Sequence, residues 1–596
     1  MARYVDLHRM ISRRAMVFGG IQGAAGLALL SRLYYLQFVK GEEFTTEAEG
    51  NRIKVQLIVP PRGIITDRKG IAMAINQVNF RLMIETENRK QAKATLQVVA
   101  DLMGLSKHAV DEMNVSISRT RNGVPLLVKE HLAWEDMAKV EYHAPELPGA
   151  FIDEGQWRHY PFVEHASHLI GYVGKVAEDE LDDDSPPLLK QPDMRLGKSG
   201  IEKRYEEKLV GVAGTRQMEV NVLGASVREL AKQPAVPGET LKLTIDSELQ
   251  EFCVQRIGEE SGAIVVLDVE KGDVIALTSM PSFDPNEFSK GISTEYWKQL
   301  NANEKNPLLN KALGGLFPPG STFKMITGLA ALKEGKFTAN TTVHCPGFFM
   351  LGNKRFNCWK PEGHGTVNMA EALAGSCDTF FYTAGHEAGI DAIAAMGRKF
   401  GLGSVSGLGL NGEQVGIMPS PEWKQKVHRG VWNPGETINT AIGQGDVLAT
   451  PMQMAIMMAR IASGGKNISP RLLMEEEVRE HGDLGIPQEH LDVVLDGMNR
   501  VVNVAHGTAY SSRIQDAGFE MGGKTGTSQV RHITIRGQNQ NSIPWQFRHH
   551  AWFVAFAPVA KPKFACAVII EHGGGGASAA APVARDVMRK VQDLVT

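Results

Sequence analysis

Hydrophobic positions along this chain change regime twice. Residues 15–30 form one apolar run, which resumes at 33–39 after a single Arg32. A bilayer crossing takes about 20 apolar residues, so 15–39 together predict one transmembrane anchor, with Arg32 snorkelling to an interface. From residue 40 the pattern breaks into short pieces. Residues 55–59 alternate and lead into the punctuated run Pro60-Pro61-Arg62-Gly63-Ile64-Ile65-Thr66-Asp67-Arg68-Lys69-Gly70, which reads as extended chain. Residues 88–105 and 133–142 carry helical spacing, and 203–210 add a shorter helix. Pro234-Ala235-Val236-Pro237-Gly238 is a linker signal. Beyond it come a helix at 246–257 and a hairpin of strands at 262–268 and 274–279 around Lys271-Gly272-Asp273. A mostly helical stretch follows to about residue 510, then strands at 550–556 and 564–571 and a closing helix at 581–595. Strands at both ends of this unit imply one sheet shared between them, with helices packed beside and over it.

The pattern divides the chain into a tail (1–14), an anchor (15–39), a non-catalytic pedestal (40–236) and a second domain (237–596), a multidomain α/β protein. Arg3, Arg9, Arg13 and Arg14 precede the anchor and predict a cytoplasmic tail, and Tyr34 and Tyr35 suit the far interface. The body then lies on the outer side of the membrane. A cleaved signal peptide is the competing reading, but no small-x-small site follows the apolar run. With 596 residues, 43% hydrophobic, 22% charged and a net charge of −3, the chain is ordinary globular material without the basic field that nucleic acid requires.

Three short motifs fall in one order: Ser321-Thr322-Phe323-Lys324, Ser376-Cys377-Asp378 and Lys524-Thr525-Gly526. Together they supply a nucleophile, a candidate base, a hydroxyl relay and a cation for a carboxylate. A serine hydroxyl needs an adjacent base to attack near neutral pH. Pro318-Pro319-Gly320 stops the chain just before Ser321, and 323–332 is helical and strongly apolar. Lys324 therefore lies one turn from Ser321 on the same face of a buried helix. Burial, with Lys524 nearby, would bring a lysine from its free value of about 10.4 toward the working range. Gly522 and Gly523 would let the last strand approach a substrate. His532, His549 and His550 flank a polar stretch and read as loop residues.

The motif set resembles that of the serine acyl-transferases attacked by penicillin. The likeness to class B penicillin-binding proteins extends over nearly the whole chain: Pro61-Arg62-Gly63 with Asp67-Arg68 and Gly70, Gly200-Ile201-Glu202 with Tyr205, Thr244-Ile245-Asp246, Ser282-Phe283-Asp284-Pro285-Asn286, Gly443-Gln444-Gly445 and His550-Ala551-Trp552. The run from Ser376 through Tyr382 resembles the elongation-type subgroup, penicillin-binding protein 2; division-type relatives usually carry Ser-x-Asn, and Asp378 departs from that.

The resemblance implies a peptidoglycan D,D-transpeptidase in lateral-wall elongation and cell shape, with a possible D,D-carboxypeptidase side activity. The second domain would have the penicillin-binding fold, a central antiparallel sheet flanked by helices. Ser321, Lys324, Ser376, Asp378 and Lys524 would be catalytic, and Thr525, Gly526 and Thr527 would bind substrate. Backbone N–H groups of Ser321 and Thr527 would form the oxyanion hole. It further implies β-lactams as covalent inhibitors, a RodA-type glycan polymerase and a MreC-type scaffold as partners, and a single-pass inner-membrane address with a periplasmic catalytic domain. The anchor and residues 62–67 would form the platform for the polymerase. A division-type transpeptidase, a membrane-anchored β-lactamase or sensor, and a catalytically dead scaffold are the rival readings. The roughly 200-residue pedestal speaks against the hydrolase, and the complete motif set against the scaffold.

Of five cysteines, Cys253 and Cys566 sit in apolar stretches and read as core. Cys345, Cys358, His364 and Cys377 have the spacing Cys-x12-Cys-x5-His-x12-Cys, four donors suited to a closed structural zinc site. The turn-rich sequence around them has little core of its own and gains from a metal clip. The resemblance adds that some elongation-type members hold a metal beside the second motif. A Cys345–Cys358 disulfide and uncoordinated thiols remain alternatives.

Overall fold

The computed structural model describes residues 2–40, 53–86, 88–119, 125–182, 184–191, 194–220, 226–530 and 542–595; His532 lies outside them. The first helix, Ala2–Tyr34, passes into a π-helical turn, Tyr35–Val39. Within it Arg13–Val39 is 27 residues long and apolar enough to cross a membrane.

The chain forms two compact units. The smaller comprises Met1–Pro60, Val78–Gln156 and Val212–Val236. In it Ile53–Ile58 pairs antiparallel with Gly214–Val220, which pairs with Ser226–Gln233. Helices Arg89–Met103 and Lys107–Arg119 bury Leu96, Val99, Val110 and Ile117 with Leu82 and Ile84. Asn88 caps the first of these, its side chain accepting from Gln91 N–H.

The larger unit comprises Pro61–Gln77, Trp157–Gly211 and Pro237–Thr596. Residues 61–77 and 157–211, read from sequence as pedestal, pack in this one unit with residues 237–596. Ser247 Oγ donates to Asp67 Oδ2 at 2.8 Å, Tyr160 N–H to Asn286 Oδ1 at 2.9 Å and Gly200 N–H to Asn411 Oδ1 at 2.8 Å, and the two segments are themselves held together by a buried ionic hub. Glu202, fully buried, accepts from Arg62 Nε at 2.6 Å and Arg158 Nε at 2.7 Å, and Arg62 also pairs with Glu206 at 2.7 Å. Gly63 carries no side chain because a Cβ there would lie 2.0 Å from Glu239 O. Ile65–Thr66 runs parallel to Leu241–Lys242 beside it. The Arg62 side chain is only 10% exposed and engaged by two glutamates, and Asp67 is buried against Ser247, while Ile64 between them is exposed.

The core of the larger unit is a five-stranded antiparallel sheet in the order Val274–Met280, Gly262–Asp268, Phe564–Ile570, His550–Ala557, Gly522–Ser528. Its central strands are apolar at nearly every position because both faces are covered. Side chains alternate between faces: Ala263, Val265 and Leu267 join one core with helices Lys324–Lys333 and Pro451–Ala462. Ile264 and Val266 join the other, with helices Ser247–Ile257 and Ala581–Val595. The segment Val343–Val367, read from sequence as part of a helical stretch, instead forms two small antiparallel pairs, Val343–Cys345 with Gly365–Val367 and Phe348–Leu351 with Lys354–Asn357. His550 opens an inner strand rather than lying in a loop, and both it and His549, the loop residue before it, are buried. Burial, with His572 and His549 beside it, pushes the His550 imidazole down to about 3.

Candidate active site

Ser321 stands on a pinned turn. Pro318 O accepts from Trp552 Nε1 at 3.0 Å and from Ser528 Oγ, and Thr322 Oγ1 donates to Pro319 O at 2.7 Å. Gly320 N–H donates to Gly443 O at 2.9 Å, an approach so close that a Cβ on Gly443 would lie 2.3 Å from Gly320 O. One 3-10 turn, Gly320–Phe323, then leads into the helix Lys324–Lys333, whose Met325, Ile326 and Leu329 are fully buried. Ser321 is half-buried and Lys324 is wholly so.

Lys324 Nζ donates to Asp378 Oδ1 at 2.7 Å, Ser376 O at 2.8 Å and Ser376 Oγ at 3.2 Å. Lys524 Nζ, also fully buried, donates to the same Ser376 Oγ at 3.0 Å and to Thr525 O at 3.1 Å. A serine hydroxyl has two lone pairs and one proton. Ser376 Oγ therefore bridges the two lysine amino groups, placed to relay a proton between them. Burial, reinforced by the Lys324 charge and only partly offset by Asp378, holds the Lys524 ammonium well below the ordinary lysine value. An incoming carboxylate would reverse that pressure.

Ser376 itself has φ +53°, a left-handed conformation that costs an L-residue about 1 kcal/mol. It sits between the helices Met369–Ala374 and Asp378–Lys399. Thr525 Oγ1 is 2.9 Å from Thr508 Oγ1, and Thr508 N–H donates to Ala374 O at 3.2 Å, tying the edge strand to the helix before Ser376. Thr508 was not singled out from sequence; a lone Gly-Thr in a loop carries no signal. Gly526 is buried and Thr527 is exposed on the same edge strand. Gly522 and Gly523 are small for a different reason than expected: a Cβ on either would lie 2.5 Å from the rings of Phe556 and Phe553 on the neighbouring strand.

Beside this site, one ligand atom from each of Cys345, Cys358, His364 and Cys377 lies within 4.8 Å of the others, and all five cysteines of the chain are free thiols. His364 Nε2 donates to Gly375 O at 3.1 Å, which leaves the Nδ1 lone pair facing Cys345 Sγ and Cys358 Sγ, each at 3.6 Å. A sulfur and an imidazole nitrogen on one tetrahedral zinc stand about 3.6 Å apart. Main-chain N–H groups of Gly347 and His364 face the Cys345 sulfur, and those of Lys360 and Thr379 face Cys358. The S–H of Cys377 favours the Cys358 thiolate against burial, holding that thiol far below its usual range. The same sulfur contact and burial push Cys377 up. Three thiols so crowded that they share protons fit a cation.

Two buried lysines that converge on one serine hydroxyl, beside the helical turn that carries Ser321, make the arrangement of a serine acyl-transferase. The chain belongs to the penicillin-binding protein family. Residues 262–589 match the penicillin-binding protein transpeptidase domain, and 57–243 the penicillin-binding protein dimerisation domain. The chain is 35% identical to the peptidoglycan D,D-transpeptidase MrdA of Haemophilus influenzae, over 97% of this chain and 91% of that one. It resembles the penicillin-binding protein 2 (PBP2) in a solved complex with MreC from Helicobacter pylori, with a TM-score of 0.81 and 31% identity, covering 91% of this chain and 99% of the other. A chain of a solved peptidoglycan synthase complex that coordinates polymerization and crosslinking matches with a TM-score of 0.71 and 29% identity, covering 96% and 97%. The protein is a class B peptidoglycan D,D-transpeptidase of the elongation type.

Proposed function

We propose that this chain cross-links wall peptides through an ester on Ser321, with Lys324 as base, Ser376 as relay and Lys524 as carboxylate anchor. The observation that carries the reading is the single Ser376 hydroxyl shared by Lys324 and Lys524. With Lys324 as the neutral amine, Ser321 Oγ attacks the carbonyl carbon of the penultimate D-alanine of a donor stem, and its proton passes to the Lys324 lone pair. The C–N bond breaks, and that proton, delivered through Ser376, leaves with the amine of the terminal D-alanine. An acceptor amine then attacks the ester carbonyl and gives up a proton, Ser321 Oγ leaves and is reprotonated, and a new amide joins two stems. Backbone N–H groups of Ser321 and Thr527 hold the developing oxyanion, a contribution of about 3–4 kcal/mol per donor in related acyl transfers. Lys524 and Thr525 hold the terminal carboxylate of the donor, and Gly526 lines its path.

The Cys345, Cys358, His364 and Cys377 cluster holds a zinc ion in this reading, supported by the 3.6 Å sulfur–nitrogen distances and the free Nδ1. With four protein donors and no open position, the ion would be a structural clip that orients the Ser376 turn.

The apolar span and the basic residues before it support a single inner-membrane anchor with the catalytic unit in the periplasm. The likeness to a MreC-bound PBP2 and to a chain of a peptidoglycan synthase complex supports a MreC-type scaffold and a RodA-type glycan polymerase as partners.

The test is product balance. Purified protein given a stem peptide ending in D-Ala-D-Ala and an amine acceptor should release one D-alanine per cross-link, and Ser321→Ala should release none. Release that survives Ser321→Ala would overturn the assignment.

A further inference from the structure

Ser376 is held in a conformation that its own residue type disfavours, so something outside the motif must stabilise it. Trp359, next to the cluster cysteine Cys358, makes three hydrogen bonds to this turn. Its indole Nε1–H bridges two successive carbonyls, Gly375 O at 3.1 Å and Ser376 O at 3.0 Å. Its main-chain N–H donates to Asp378 Oδ2 at 2.8 Å. Each of these contacts is paired with one from another residue. Ser376 O also accepts from Lys324 Nζ, Asp378 holds Lys324 through its other oxygen, and Gly375 O also accepts from His364 Nε2.

Packing does not explain the residue. Trp359 is 57% exposed, with one edge-on ring contact to His364 at 5.6 Å between centroids. An indole left in solvent contributes little burial, and it presents its N–H edge inward to the two carbonyls that define the Ser376 turn.

We propose that Trp359 is a positioning residue for acyl transfer: its indole N–H fixes the Gly375–Ser376 turn so that the Ser376 hydroxyl stays between Lys324 and Lys524. The proposal rests on the acyl-transfer reading of Ser321 and not on the zinc assignment. Without the indole N–H, Lys324 is the one remaining side-chain donor on Ser376 O, and the turn can relax from φ +53°. Ser376 then shifts relative to Ser321, while the groups that bind substrate, Lys524 and Thr525 on the edge strand, stay in place. The chemical step suffers and binding does not.

The experiment uses the full chain in detergent and a fluorescent penicillin, separating the acylation rate constant from the dissociation constant of the encounter complex. Trp359→Phe keeps a ring and deletes the N–H. Trp359→His restores a donor, because imidazole Nε2 falls on the place of indole Nε1 when the five-membered rings are overlaid. Phe should slow acylation about ten- to a hundredfold, as small misplacements of reacting groups do, with the dissociation constant within about twofold of the parent. His should recover most of the rate. If Phe lowers the thermal midpoint, rates are compared per mole of acylated enzyme, and the His-to-Phe ratio decides. A Phe variant that acylates at the parent rate, a His variant no better than Phe, or a change confined to the dissociation constant would overturn the proposal. A parent protein that is not acylated at Ser321 would instead overturn the reading beneath it.

Discussion

Asp378 Oδ1 lies 2.7 Å from the Nζ of Lys324, and this ion pair is all but closed to solvent. A buried ammonium stripped of its partner typically costs about 3–5 kcal/mol. Asp378→Ala should therefore lower stability by roughly that amount and slow acylation more than tenfold. Asp378→Asn keeps an oxygen for Lys324 but sets an NH2 against the Trp359 N–H, so it should fall between the parent and Asp378→Ala in both stability and acylation rate. Urea unfolding and fluorescent penicillin labelling read the two effects separately.

Lys524 makes a pH prediction whose sign follows from burial. Its ammonium is held below the ordinary lysine value, with Lys324 opposing the charge and Asp378 favouring it. Between the folded value and the unfolded one, the unfolded chain binds the extra proton, so this group makes stability rise with pH across that window. At lower pH both states are protonated and the full penalty of burying the cation remains. Lys524→Met should thus stabilise the fold most on the acid side and least as pH approaches the unfolded lysine value, while abolishing acylation. Thermal midpoints of parent and variant across pH decide it; a stabilisation that grows with pH contradicts the account.

The hub around Glu202 predicts a purely structural defect. Glu202→Gln leaves Arg62 and Arg158 as buried guanidinium groups with one carboxylate, Glu206, between them. The cost should be about 3–5 kcal/mol, seen as a lower denaturation midpoint with acylation of the folded fraction unchanged.

For the cysteine cluster, elemental analysis of the purified chain should find about one zinc per molecule, as a closed Cys3His site binds a single ion. Free zinc at a hundredfold its dissociation constant should add about 2.7 kcal/mol, and His364→Ala should lose both the metal and that increment. A metal-free chain with a Cys345–Cys358 bridge would end the proposal.

Much of this site is visible in the sequence because its elements are local. The apolar helix after Ser321 forces Lys324 inward, and the strand runs Gly262–Asp268 and Phe564–Ile570 are apolar enough to be read directly. The four cluster residues are likewise suggested by spacing and turn chemistry. What the sequence hides depends on long-range pairing. Gly522 and Gly523 look like substrate-facing glycines until the strand register sets them opposite Phe556 and Ala555, with the Phe553 ring nearby. Nothing in residues 61–77 announces that Asp67 meets Ser247, 180 positions away. Trp359 looks like an ordinary loop aromatic because its acceptors, Gly375 O and Ser376 O, are main-chain atoms that no side-chain pattern encodes.

The central claim is that Ser321 carries the acyl group. The most direct measurement is intact mass of the full chain after incubation with benzylpenicillin, followed over hours, with peptide mapping of the adduct. One added penicilloyl group per chain, stable over that time and mapped to the peptide containing Ser321, is the predicted result. An adduct on another residue, or rapid return to the unmodified mass with hydrolysed drug, would contradict it.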